Sequence, residues 1–393
     1  MTGPLNGIVV VDLTQALSGP FCTMQLADLG AEVIKVEPLT GDSARNFGPP
    51  FIEEGMSAYF AAVNRNKKSV AIDLKTGSGK KELRSLISGA DILVENFRPG
   101  VLDRLGFSVS ECKKIKPSLI YASITGFGKT SVLSNRPAYD IVIQAMGMMT
   151  MLNRDPCPVP LPISLGDLAG SMFGTQAILS ALYARERDGK GRWVEVPLLS
   201  SLLSFASVEA NIALSMGRMP KKEKNRHSFI APFGIYKCKD GFIALGVGND
   251  AQWMRLTPIL RKWNPSSGLL SDRFKTNAGR LRYRDELEKE LTAMCELGSC
   301  AKWLRALERA DLPSGKVLNP AKVLSSKWIK PWISHGEKTR GLRHPVVFEG
   351  GWQSTYRDAP RLGEHTNVFL LGSRGGSIGG VEQIRKLHKG KYK

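Results

Sequence analysis

The first two hundred residues alternate short apolar runs with helical patterns, and that rhythm leaves few architectures open. GIVVVDL (7–13), EVIKVEP (32–38), KSVAIDL (68–74), DILVENF (91–97) and LIYASITGF (119–127) read as strands, with helical patterns between them at FCTMQLADLG (21–30), SAYFAAVN (57–64) and KKELRSLISGA (80–90). The strand runs lack strict in/out alternation, so both faces are covered, and strands joined by helices pair in parallel. The expectation is an α/β fold built on a Rossmann-like parallel sheet. A long helical pattern from Leu168 to Arg187, the strand RWVEVPL (192–198) and a helix-like stretch to about Met216 continue it.

A chain of 393 residues exceeds one ordinary domain, and two are expected. The pattern breaks at RMPKKEKNR (218–226), which reads as a linker. Beyond it APFGIYKCKDGFIALGVG reads as a hairpin turning at Lys239, Asp240 and Gly241, followed by helices at WMRLTPILRKW and YRDELEKELTAM. The expected division is a large domain over 1–217, a smaller α+β domain over 226–325, and a segment, 326–393, that completes the large domain and turns strand-like at RHPVVF (343–348).

The formal charge of +19 concentrates anionic ligands without choosing among nucleic acid, membrane surface and polyphosphate metabolites. Part of it lies in the linker and in IRKLHKGKYK (384–393), neither of which interleaves aromatics as a nucleic-acid stripe does. Six cysteines (Cys22, Cys112, Cys157, Cys238, Cys295, Cys300) form no CxxC pair and have no histidine at metal spacing, so they read as reduced thiols with no metal site. The start, MTGPLNGIVVVDL, enters a strand without a targeting pattern, and the expected location is the cytoplasm.

SITGFGKTS (123–131) imitates a P-loop, but Ser123 stands where glycine is needed and Asn135 and Pro137 stand where a helix should follow. TGSGKK (76–81) puts Lys81 at the magnesium-ligand position and reads as a helix start. All five histidines follow residue 226, so an imidazole-based triad has no local partner in the α/β part. Arg45, Lys75, Arg98, Arg104 and Arg136 each follow a strand, at the sheet end where ligands of open α/β folds lie, and together suggest a polyanionic ligand.

In ISLGDLAGSMFG (163–174) one acid stands where an apolar helix begins. Asp167 reads first as an N-cap, which is all that most acids so placed do, and also as an ionised carboxylate offered to another molecule across the small residues Gly166, Ala169, Gly170 and Ser171. For Asp140 the cap reading is preferred; Tyr139 is either a buried aromatic or a site residue.

PLNGIVVVDLTQALSGP, LADLGAEVIKVEP, NRNKKSVAIDLKT, ENFRPGVLDRLG, YDIVIQAMG, SLGDLAGSMFGTQAILSAL, GKGRWVEVPLL, GNDAQW and APRLGEHT, in that order, resemble the class III coenzyme A transferases of the CaiB/BaiF type, a family that includes carnitine-CoA transferases and α-methylacyl-CoA racemases. The resemblance implies a homodimer of interlinked rings, acyl-CoA and a free carboxylic acid as substrates, and no resident cofactor. It puts the nucleophilic aspartate on Asp167, an active-site polar residue on Gln15, and CoA contacts on Ala16, Ile72, Lys75, Asn96, Phe97, Arg98 and Arg104. Backbone amides near Asp167 are the expected oxyanion donors. Tyr139 stands where the racemase branch has a catalytic histidine, which disfavours α-proton exchange, and the consecutive glycines of the formyl/oxalate branch are missing from the small domain. A CoA transferase, with succinyl-CoA or another small dicarboxylyl-CoA as donor, is expected; a racemase-type isomerase and a nucleotide- or nucleic-acid-binding protein are the alternatives.

Overall fold

The computed structural model describes residues 3–147, 159–218, 226–349 and 352–370. The interior of the 218–226 linker, the basic tail and Cys157 lie outside them. By contacts the chain divides into a first unit, described over 3–147, 159–207, 331–349 and 352–370, and a second, described over 208–218 and 226–330.

The first unit is built on six parallel strands: β1 (Val9–Asp12), β2 (Glu32–Glu37), β3 (Lys67–Ala71), β4 (Ile92–Glu95), β5 (Ile120–Thr125) and β6 (Trp193–Pro197). Their order across the sheet is β3-β2-β1-β4-β5-β6, in which the direction of winding reverses between β1 and β4. β1, β4 and β5 are buried at every position, which explains their continuous apolar character. Thr76 caps the helix Gly77–Gly89 by accepting from the Gly79 amide, so TGSGKK is a helix start. At 123–131 no helix follows; the Lys129 amide donates to Glu195 instead.

Charges inside this sheet are paired. Lys67 meets Asp12 at 3.0 Å and Lys35 meets Asp42 at 2.9 Å, with all four side chains fully buried. Arg45 forks onto both oxygens of Glu37 and lies 3.8 Å from the Phe60 ring centre. The expectation that Arg45 faces a ligand is therefore corrected: its guanidinium closes a buried bidentate pair. Gly174 lets the helix Leu165–Asp188 lie close over Ser18–Asp28 and β5, since a Cβ there would come within 3.1 Å of Cys22 Sγ and 3.2 Å of Ile124. Gly166 and Gly170 are likewise closed over by Ile143 and Leu198, and Ala169 and Ser171 are buried, so these small residues serve helix packing rather than access by a second molecule.

Residues 355–366 run along β3. Asn66 exchanges hydrogen bonds with Thr355 and Arg357, and the His365 amide donates to the Ser69 carbonyl. The strand expected at 343–348 is absent. Pairing occurs earlier, between Ile333–His335 and Arg340–Leu342, and Pro345 lacks the amide that would extend it.

The second unit carries three antiparallel strands, β7 (Phe233–Cys238), β8 (Gly241–Gly246) and β9 (Ser314–Lys316), packed on helices around Trp253 and Trp303. Gly241 already pairs with Cys238, so the hairpin turn is Lys239 and Asp240 alone. The five described cysteines are free thiols. Among the described residues no group of three potential metal ligands occurs, and no single helix is long and apolar enough to cross a membrane.

Candidate active site

Open α/β sheets hold ligands in the crevice at such a reversal, here at the carboxyl ends of β1 and β4, and two loops meet there. The Gln15 amide donates to Asn96 Oδ1 at 2.9 Å, and Asn96 Nδ2 donates back to the Gln15 carbonyl at 2.8 Å. Ala16 takes the left-handed conformation, φ 63°, and its amide donates to Asp42 Oδ1. An alanine tolerates that strained backbone only where its surroundings fix it. Here Asp42 and Asn96 hold the loop from two sides, and Lys35 donates to the Thr14 carbonyl at 2.7 Å from beneath. The buried ion pairs are thus the support of this loop.

Asp167 lies in the first turn of Leu165–Asp188, but not as its cap. Ser164 occupies the cap position, and the capping carboxylate comes from Asp140, whose Oδ1 accepts from the Gly166 amide at 2.7 Å and the Asp167 amide at 3.3 Å. Gln144 holds Asp140 Oδ2 at 2.6 Å. Asp140 therefore caps a neighbouring helix, which corrects both cap readings and leaves the Asp167 side chain available. The amides of residues 165–168 are all engaged, Leu165 with Ile163, Gly166 and Asp167 with Asp140, and Leu168 with Ser164. They do not form the expected oxyanion hole, because Asp140 already occupies the open end of the helix.

Asp167 is partly buried, and its carboxyl is pushed up to about 7, first by burial and then by the negative charge of Asp140, against a hydrogen bond from Ser18. Tyr59 shares this environment: burial and the charges of Asp167, Asp140 and Asp42 push its phenol up to about 12. Ser18 begins the helix after the Gln15–Ala16 loop, and its carbonyl accepts from the Ser171 hydroxyl at 2.5 Å, tying that loop to the Asp167 helix. Among the described residues no cation pairs with it, and a carboxylate at once desolvated and unpaired is a stronger nucleophile than one in water.

The remaining candidates divide. Lys75, Arg98 and Arg104 are exposed after β3 and β4, and Phe97 packs partly on the core. Ile72 is only 2% exposed within the main core, so any ligand contact there is through its backbone. Tyr139 is 75% exposed, which removes its buried-aromatic reading. Arg136 is exposed in the turn before it. Glu95 accepts from the Phe97 amide at 2.8 Å and so shapes the turn that presents Asn96 and Arg98. Sequence reading missed Ser18, Asp42 and Tyr59. Ser18 opens the helix that follows β1 and Asp42 caps the turn that follows β2, positions where a polar residue carries a topological signal; Tyr59 has none.

The family model described as CoA-transferase family III matches residues 5–366. The succinyl-CoA:glutarate CoA-transferase of Mus musculus is 36% identical over 93% of this chain and 86% of its own length. The acetyl-CoA:oxalate CoA-transferase of Acetobacter aceti is 39% identical over 82% of each chain. Among solved structures, a CAIB/BAIF family protein from Brucella suis superposes with TM-score 0.83 at 34% identity, over 93% of this chain and 98% of that one. With the parallel sheet, the crevice and this match over nearly the whole length, the chain belongs to CoA-transferase family III and is an enzyme of the CoA-transferase class.

Proposed function

We propose that this enzyme moves CoA from succinyl-CoA or a similar small dicarboxylyl-CoA to a free carboxylic acid, through covalent intermediates on Asp167. The observation that carries the reading is the Asp167 carboxyl itself: desolvated, raised to about 7 by burial and by the charge of Asp140, and bonded by Ser18 at the end of the Gln15–Ala16 loop. Several relatives that match over most of this chain are named for succinyl-CoA or succinate with glutarate or mesaconate, which supports a dicarboxylyl donor, whereas the Acetobacter aceti relative is named for acetyl-CoA and oxalate.

In the first step an Asp167 oxygen attacks the thioester carbonyl, and the C–S bond breaks to leave an aspartyl acyl anhydride and CoA thiolate. The thiolate attacks the aspartyl carbonyl, releasing the donor acid and forming an aspartyl-CoA thioester. The acceptor carboxylate attacks that thioester, giving a second anhydride and thiolate. Attack of the thiolate on the acceptor acyl carbon then forms the new acyl-CoA and regenerates Asp167. No step needs an external base. With the amides of Leu165 to Leu168 engaged by Asp140, Ile163 and Ser164, the Gln15 side-chain amide is the donor assigned to the oxyanion, its backbone being held by Asn96. Ala16, the Ile72 backbone, Lys75, Asn96, Phe97, Arg98 and Arg104 form the CoA subsite in this reading, with Tyr139 at the acyl end. The helix Ser207–Met216, which buries none of its residues and exposes Leu214 to 84%, supports an interlinked homodimer that covers it. The free thiols of the five described cysteines suit a reducing cytoplasm.

An exchange assay tests the function: purified enzyme with succinyl-CoA and a panel of mono- and dicarboxylic acids, read by chromatography of acyl-CoA products. New dicarboxylyl-CoA is expected. Isomerisation of a branched acyl-CoA without transfer to any acid would replace this reading with the racemase alternative.

A further inference from the structure

The second unit holds a cleft of about 600 Å³ formed by two helices, Asp250–Trp263 and Cys300–Arg309. Its lining includes four cations, Lys262, Lys302, Arg305 and Arg309, and no carboxylate among the described residues. The arrangement follows from helical spacing: Lys302, Arg305, Ala306 and Arg309 fall at i, i+3, i+4 and i+7 and share one face, whereas Leu304 and Glu308 line a different cavity. Like charges gathered on one concave surface repel one another, focus the field there and favour an anion between them. The floor is aromatic. Trp263 is partly buried and stacks on Trp303 at 4.8 Å with 9° between the planes, while the Lys302 ammonium rests over Trp263, 4.4 Å from the ring centre. Gly298 fixes this geometry, since a Cβ there would come within 2.3 Å of the Trp263 ring.

We infer that this cleft is a second ligand site, distinct in composition from the transfer site, which binds a nucleoside polyphosphate with its base on Trp263 and its phosphates between Arg305, Arg309 and Lys262. Lys302 has the flexible stem needed to leave the ring face to the base and turn its ammonium to the phosphates. Guanidinium forks suit phosphate oxygens, and the cleft volume is that of a small-molecule site. One recessed indole, rather than a row of stacking platforms, favours a mononucleotide over a single strand of nucleic acid. The same chemistry, adenine with phosphates, is carried by a free nucleotide and by the nucleotide end of CoA, so the test has an arm for each.

Equilibrium dialysis of the full chain against labelled ATP, CoA and inorganic tripolyphosphate is the experiment, with wild type, Arg305→Gln/Arg309→Gln and Trp263→Leu compared. The double variant is expected to weaken ATP binding about tenfold or more while leaving transfer activity unchanged. Trp263→Leu is expected to weaken ATP but not tripolyphosphate. If the CoA stoichiometry falls by one per chain in the double variant, CoA is the occupant; if it is unchanged, the occupant is a free nucleotide. As a check that needs no variant, ATP is expected to protect Lys262 and Lys302 of the wild-type protein from amine acylation. ATP binding unaffected in both variants, lysine labelling unaltered by ATP, or retention only on anionic vesicles or oligonucleotides would overturn the inference.

Discussion

Asp167→Asn is expected to lower the transfer rate by about a thousandfold or more, as loss of a covalent nucleophile does, while making the protein more stable above neutral pH. The two effects share one cause. Burial and Asp140 raise the Asp167 carboxyl to about 7, far above its range in an unfolded chain. Between those values the folded state holds a proton that the unfolded state has lost, so stability declines as pH rises through the interval. Below it both states are protonated, and the variant gains nothing. Above about pH 7 the native protein carries a desolvated charge that asparagine removes, and partial solvent access limits the gain to about 2 kcal/mol. Thermal melts at pH 8 and pH 4 check this: a higher melting temperature for Asp167→Asn at pH 8 that vanishes at pH 4. The wild-type rate should follow the same ionisation, reaching a plateau above about pH 7 and falling about tenfold per unit below it. Equal melting curves at pH 8 would mean that Asp167 is not strained by its surroundings.

The largest loss of stability is expected from Lys67→Met. Its ammonium meets Asp12, the Pro20 carbonyl at 2.8 Å and Asn64 Oδ1 at 2.8 Å, with no route to solvent. Burial, with the like charge of Lys35, already lowers its pKa to about 8 against the pull of Asp12. Removing it leaves Asp12 charged in a sheet interior beside Thr14 and Thr23, at a cost of about 3–5 kcal/mol. Asp12 also accepts from the Thr14 amide, so the Gln15–Ala16 loop should loosen and kcat/KM should fall as well. Urea denaturation of Lys67→Met, Asp12→Asn and the double variant checks this. The double variant should be clearly less unstable than the sum of the singles, because neither charge is then left alone. Strict additivity would show that the pair is not coupled.

The parallel sheet was legible because burial on both faces makes β1, β4 and β5 continuously apolar, a pattern that survives without structure. The two-residue hairpin and the false strand at 343–348 were misplaced by a residue or more, because turn closure depends on pairing partners distant in sequence. Asp167 was legible as one acid at the head of an apolar helix, but its partners were not. Asp140 lies 27 residues away and caps through space. Tyr59 arrives on a short helix after Ser57, with nothing in its own neighbourhood to mark it. Arg45 shows the reverse error: its position after β2 fits a ligand crevice, yet Glu37, eight residues before it, claims it. Local pattern locates an element, whereas the pairing of a charge is decided by the fold.

The most direct measurement is intact-protein mass spectrometry after incubation with succinyl-CoA, followed by hydroxylamine or borohydride trapping and peptide mapping. The covalent account predicts an adduct, or its trapped derivative, on the peptide carrying Asp167, and none in Asp167→Asn. A wild-type enzyme that transfers CoA at full rate with no modification at Asp167, or with modification of another residue, would contradict it.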